Sequence, residues 1–550
     1  MRLSTFLAAA AVLLLPATFA NAQSSTLAAP QVTVGADLKS LTFDWDPVPG
    51  ATHYWLLARW TNEVHFRRFG DRIPATVTNA RVEVAVHQVF WDQALFVVQA
   101  CDATHCQNSR FIGVQDQMLD TIGYLKASNA DADDRFGRTV TLSLDGSTLA
   151  VTAERESSNA TGANGNQANN SSPNSGAVYI YRHRGATWRQ EAYLKAGTNQ
   201  PDQSFGFSFP IGRYQAISLS EDGSLLAAGA PQEDVNFVQD VGTVYLFQRA
   251  ANNAWSLLAT LHSPSPQVRD FFSVSVDLSA DGNTLKVGSL KPADGEGNPA
   301  GRTHIFVRTS SGWQHQATIA PFYPEDFCPG TRMSSDASTL VQYCVSPLTA
   351  TARTVTFKRS GALWVHVSDL AMNRVDSQQP QLNHDARSLA VIDSSGPYTF
   401  LVTLFHWDGS QWQREVGIVP PDITSAGQAA HSTWGQSMSF SRNADWFAFG
   451  DPANVTAGAG VSHELIGEGP RHGAAYLFKR VETAGGPWNF LSLIKAPHPG
   501  AEDSFGETVA LSGTGRTLAV GAVFEDSNAR GVDGNQADNS RPESGAAYLY

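Results

Sequence analysis

Cysteine is almost absent from this sequence: 4 residues in 550. That scarcity excludes a disulfide-dense miniprotein and a zinc-finger array. Charge is scarce too, at 16% of residues against 42% hydrophobic. Disordered chains show the opposite balance, because they lack the apolar surface that offsets chain entropy. Basic residues are outnumbered, 38 Lys and Arg against 51 Asp and Glu, for a net charge of −13. A general nucleic-acid binder needs a basic face to replace phosphate counterions, so no nucleic-acid partner is expected. Adhesion to anionic membrane by charge alone is excluded on the same ground. The chain also lacks a His-x-Glu-x-x-His pair, a Gly-x-Ser-x-Gly elbow, a P-loop and a Rossmann fingerprint. Its 15 histidines are scattered. The densest group, His463-Glu464 and Arg471-His472 with His431, reads as a solvated loop rather than an acid–base site. Beyond the N-terminus no apolar run reaches the roughly 20 residues that span a bilayer, so no integral membrane span is expected.

What is present begins with an address. Met1-Arg2-Leu3 is a short basic start, Phe6 to Leu15 is apolar, and Ala20-Asn21-Ala22 is a small-x-small site. This is the layout of a secretory signal peptide over 1–22, and it predicts an exported protein: secreted, periplasmic or cell-surface associated. Export permits disulfides. Cys101 and Cys106 bracket a short polar stretch, and Cys328 and Cys344 sit symmetrically about the Ser335-Asp336 turn. Neither pair has CxxC spacing, so both read as structural staples rather than metal or redox pairs.

Residues 28–112 read as short alternating strands, among them Leu41–Trp45, His53–Leu57, Val82–Val86 and Leu95–Ala100. Their length suits a small β-sandwich. The stretches LTFDWDPVPGATHYWL and ALFVVQACDATHC resemble a fibronectin type III module. That resemblance makes Trp45 and Tyr54 core anchors.

The remainder is a repeat array. YLKASNADADDRFGRTVTLSLDGSTLAV from Tyr124 aligns with LIKAPHPGAEDSFGETVALSGTGRTLAV from Leu493. NGNQANNSSPNSGAVYIY from Asn164 aligns with DGNQADNSRPESGAAYLY from Asp533. Asp-Gly-type turns at Asp145, Asp222, Asp281, Asp336, Asp385, Asn443 and Thr514 count seven units. The last unit stops where a fourth strand is due, and 118–127 precedes the first unit with no unit of its own. The expected architecture is therefore all-β: a small sandwich followed by a seven-bladed β-propeller over 118–550, closed by the strand at 118–127. Closure removes exposed sheet edges.

The motifs DRFGRTVTLSLDGSTLAV, QSFGFSFPIG and DSFGETVALSGTGRTLAVGA, with AAGAP at 227–231, resemble FG-GAP repeats. Those are the blades of the integrin α-subunit propeller and its bacterial relatives. The resemblance implies a propeller, an extracellular setting, and adhesion or ligand binding through loops on one face. Family members often bind calcium in DxDxDG hairpins. Here those hairpins read SLDGSTL, SEDGSLL and SADGNTL, and one Asp each cannot supply six to eight oxygens. Asp145, Asp222 and Asp281 therefore read as turn residues. The Asp-rich last loop is the better place for an ion, and Asp533, Asn535 and Asp538 stand as calcium candidates. No other cofactor and no catalytic residue is indicated. The function expected is a non-catalytic binding or adhesion protein whose loops take extracellular protein or glycan. A secreted carbohydrate-active enzyme, glycosidase or lyase, and a purely structural surface repeat protein are the alternatives.

Overall fold

The computed structural model describes residues 27–550 except 61–62, 89, 91–92, 186, 208–213, 292–299, 347–348, 350, 373–378, 397–398, 419–434, 436, 463–466, 468 and 482–485. The leader expected at 1–22 lies outside the described residues, as do His431, His463 and Glu464. Among the described residues the structure is all-β, and its helical pieces are single 3₁₀ turns such as Val86–Gln88 and Leu119–Thr121. No described helix is long and apolar enough to cross a membrane.

The chain divides into two compact units. One comprises Met1–Thr33, Phe43–Ala80 and Leu95–Ile112; the other comprises Val34–Thr42, Arg81–Ala94 and Gly113–Tyr550. In the first, strands His53–Arg59 and Leu95–Cys101 pair antiparallel, Tyr54 opposite Ala100. Period-two alternation turns Tyr54, Leu56 and Ala58 inward. Trp45 meets Tyr54 edge to face at 5.2 Å, and the Tyr54 hydroxyl accepts the Val48 N–H at 2.8 Å. Phe43 and Phe96 pack 5.0 Å apart. Cys101 lies opposite Cys106 in a hairpin, and the two form a disulfide.

The second unit holds seven antiparallel sheets of four or five strands among the described residues. They are numbered here by their first strands: Phe136–Leu142, Ile217–Leu219, Ser275–Leu278, Phe327–Met333, Gln381–Leu382, Met438–Phe440 and Phe505–Leu511. Sheet 7 is completed by the early strand Gly123–Lys126, which pairs with Ala546–Leu549, Tyr124 opposite Tyr548.

One turn design recurs in all seven sheets. A Ser or Asn side chain accepts the N–H five residues on: Ser143 from Thr148, Ser220 from Leu225, Ser279 from Thr284, Ser334 from Thr339, Asn383 from Ser388, Ser441 from Trp446 and Ser512 from Thr517. Asp145, Asp222 and Asp281 each accept the N–H two residues on. These carboxylates hold their own turns.

The turns are also bonded to one another. Asp145 N–H donates to Glu221 O, Glu221 N–H to Ala280 O, Ala280 N–H to Ser335 O and Asp336 N–H to His384 O. Asn383 Nδ2 then donates to Arg442 O. Arg442 N–H donates to Gly513 O, and Gly513 N–H to Leu144 O, back in the first turn. The circuit visits seven turns and closes.

Glycines make the sheet-to-sheet seams. Phe136 N–H donates to Ser544 O of sheet 7, 3.1 Å away. Gly545 beside it has φ +77°, and a Cβ there would lie 2.0 Å from Phe136 O. Only glycine fits such an approach. Sheet 4 has no Phe-Gly; Cys328 stands after Phe327 and is bonded to Cys344 across the local bulge.

Candidate functional site

A cavity of about 140 Å³ is lined from the first strands of all seven sheets, from Val140 in sheet 1 to Ala510 in sheet 7. A second, of about 60 Å³, shares Arg332 and Gln381 with it. Their charges are mutually engaged. Arg138 reaches Glu507 at 2.6 Å and Glu154 at 3.1 Å. Asp277 takes Arg332 at 2.6 Å and Lys286 at 3.0 Å. Burial alone would raise the Asp277 pKa, but those two cations and the Met333 N–H hold it below the usual range. Burial pulls Lys286 down to about 8 against the attraction of Asp277. Arg442 pairs with Glu221 and reaches His384 at 3.2 Å. Ligand pockets usually span roughly 300–1,000 Å³, so this space suits water better than a ligand.

The long loops after the second strands are built differently, and they repeat. In sheet 1, the Ser158 hydroxyl donates to Asn166 O at 2.9 Å; in sheet 7, Ser527 donates to Asn535 O at 3.0 Å. Asn159 N–H donates to Asn169 O, and Asn528 N–H to Asp538 O. Beneath each loop lies a buried ion pair. Lys195 Nζ sits 2.6 Å from Glu156 Oε2 and 2.7 Å from Ser175 Oγ, and Tyr193 OH donates to Glu156 Oε1. Lys126, Glu525, Ser544 and Tyr124 repeat that arrangement in sheet 7. Both lysines are fully buried. Burial lowers their pKa values while the glutamates oppose it. Each cluster holds one further carboxyl, Asp134 or Asp503, which burial raises to about 7. Both lysines lie in repeated Tyr-Leu-Lys-Ala strands. By sequence alone a lysine at a strand end reads as solvated.

The calcium candidates are held by main-chain groups. Asp533 Oδ1 accepts Tyr124 N–H at 3.1 Å, Asn535 Oδ1 accepts Ala537 N–H at 3.0 Å, and Asp538 Oδ1 accepts Ser540 N–H at 3.0 Å. Burial raises the Asp533 pKa. Among the described residues no group of three or more His, Cys, Asp or Glu is placed to hold a metal. Asp533 instead borders a cavity of about 570 Å³ with Asp37, Arg81, Asp120, Trp188 and His498. A neighbouring cavity of about 350 Å³ is walled by Pro497, His498, Asp503, Glu525, Gln536 and Asn539.

Among solved structures, the chain is similar to the periplasmic gluconolactonase PpgL of Pseudomonas aeruginosa, at 15% identity and TM-score 0.40, over 81% of this chain and 97% of that one. It is similar to the hydrazine synthase of Kuenenia stuttgartiensis at 12% identity and TM-score 0.43, over 71% and 93%. It is also similar to TolB from Acinetobacter baumannii at 9% identity and TM-score 0.31, over 71% and 79%. No curated protein matches the chain. The FG-GAP repeat family matches residues 488–550, which run from the strand Trp488–Ile494 of sheet 6 to the end of sheet 7.

Proposed function

We propose that this is an exported, non-catalytic binding or adhesion protein, with a small β-sandwich ahead of a seven-bladed propeller whose loops engage extracellular protein or glycan. The observation that carries the reading is the shared construction of loops 154–176 and 523–545. Each is pre-organised by its own side chain–main chain hydrogen bonds and still presents exposed polar residues, which cuts the ordering cost of binding. The closed circuit of seven turns supports the blade count. The two disulfides fit an extracellular or periplasmic setting.

The test is capture by the full chain on a glycan array and against secreted proteins, run beside assays for release of reducing ends from polysaccharides. Binding without turnover is expected. Turnover would replace this reading with the carbohydrate-active enzyme, and neither binding nor turnover with a structural repeat protein. Because their oxygens already serve main-chain N–H groups, Asp533, Asn535 and Asp538 are expected to leave thermal stability unchanged between calcium and excess chelator. A calcium-dependent rise in melting temperature would restore them as an ion site.

A further inference from the structure

The outer strands of the seven sheets are finished in two ways. In sheets 1, 6 and 7 a two-residue strand pairs antiparallel with the outer strand: Gly162–Ala163 with Thr187–Lys195, Val461–Ser462 with Trp488–Ile494, and Gly531–Val532 with Gly123–Lys126. Each of these caps comes from the sheet's own long loop, 154–176, 452–473 or 523–545. Sheet 4 has no such loop. Only residues 346–351 join its second and third strands, Thr339–Val345 and Ala352–Ser360. Among the described residues no strand pairs with the far edge of its outer strand, Leu363–Met372. An open edge carries a row of N–H and C=O groups that can pair with another chain.

This edge is also apolar on both faces. Leu363 and Val365 are 69% and 47% exposed and, two residues apart, share one face. Val367 follows, 39% exposed, as the extra residue of a bulge: Phe357 pairs with His366 and Thr356 with Ser368. On the other face the half-exposed Phe322 stacks on His366 at 4.0 Å. From Leu363 to Ser368 the strand holds no Lys, Arg, Asp or Glu. Open edges are normally protected by just such charges. The other uncapped sheets are more polar there. Sheet 5 carries Arg414 and Glu415, sheet 3 exposes Gln314 and His315, and sheet 2 exposes Ser256 and Thr260 beside its leucines.

We infer that this edge pairs with the same edge of a second copy of the chain, antiparallel, on a two-fold axis through Val365. Antiparallel pairing opposes residues whose side chains share a face, so the axis must pass through a residue. With Val365 on it, Leu363 meets Val367, Trp364 meets His366 and Val365 meets itself. All three exposed aliphatic residues are then covered by their own copies, and no like charges are opposed. An axis at Trp364 would set Val367 against Gly361, and one at His366 would set Leu363 against Asp369. Sheets 1, 6 and 7 already take an antiparallel segment at the equivalent edge, so the architecture has room for one. The bulge at Val367 bends the strand and ends the regular stretch. Five residues from each copy bury less than the roughly 1,000 Å² of a stable interface, so the dimer is a weak one that forms at high protein concentration.

The experiment is sedimentation of the full chain from about 5 to about 500 µM, the range in which a weak interface fills. The mass is expected to climb from monomer toward twice that value. Val365→Glu should hold the melting temperature, because position 365 is exposed and lies opposite Lys358 on the neighbouring strand. It sets two carboxylates against each other on the axis, so it should keep the protein monomeric throughout. A single cysteine reads the register. All four native cysteines are in disulfides, so a new thiol reports alone. Val365→Cys should cross-link into a dimer under mild oxidation at least about tenfold faster than Gln314→Cys, on the outer strand of sheet 3. A monomer at every concentration, a dimer that Val365→Glu leaves intact, or equal cross-linking of the two cysteine variants overturns the inference.

Discussion

Sheets 1 and 2 are neighbours built to the same plan, yet they treat the same buried carboxylate in opposite ways. In sheet 1, Glu156 is met by the ammonium of Lys195 at 2.6 Å. In sheet 2 its counterpart Glu233 is also buried, but its last strand carries His262 where sheet 1 carries Lys195, opposite Thr243 as Lys195 follows the partner of Val178. Tyr245 donates to Glu233 at 2.8 Å, and among the described residues no lysine is paired with it. Burial raises Glu233 to about 7, against the hydrogen bonds from Tyr245, Thr198 and Thr243. Sheet 6 shows a third solution: it keeps the lysine as Lys495 but turns the acid into Asn454, whose Oδ1 accepts the ammonium at 3.1 Å. The three sheets therefore fill one buried position with an ion pair, with a carboxyl whose pKa burial has raised, and with an amide.

The largest effect should come from breaking the pair. Lys195→Met leaves Glu156 buried without its cation, and we expect a loss of about 3–5 kcal/mol in denaturant unfolding. Lys126→Met should behave alike in sheet 7, and a loss under 1 kcal/mol would show the pair to be dispensable. Next is the disulfide that joins the first two strands of sheet 4. It closes a sequence separation of 16, so Cys328→Ser with Cys344→Ser should cost about 3 kcal/mol. Third is pH. The folded protein holds the Glu233 proton more tightly than the unfolded chain does. That contribution is present at low pH and is lost as pH rises toward 7, at most about 3 kcal/mol. Asp134 and Asp503 act with the same sign. Glu233→Gln should remove its own share, so melting curves of the variant and the wild type should diverge between pH 5 and 7. Parallel curves would mean that Glu233 stays ionised. The smallest effect is the repair: His262→Lys should supply the missing ammonium and add about 1–2 kcal/mol at pH 8.

Several features were legible from local pattern alone. Alternating strands, Asp-Gly turns and Phe-Gly marks indicated an all-β repeat protein, and the family match falls on 488–550, where the marks are clearest. Both cysteine pairs formed disulfides. The turns were readable because Ser143 and Asp145 act within five residues of their partners. The buried clusters were not. Lys195 meets Glu156 across 39 residues, and Lys126 meets Glu525 across 399.

The sequence by itself determined the strands, the turns and the repeat, because those depend on hydrogen bonds and side-chain periodicity within a few residues. Only the tertiary structure decided which charges are buried and which outer strands a loop covers. Burial is created when a loop from one repeat folds over a strand from another.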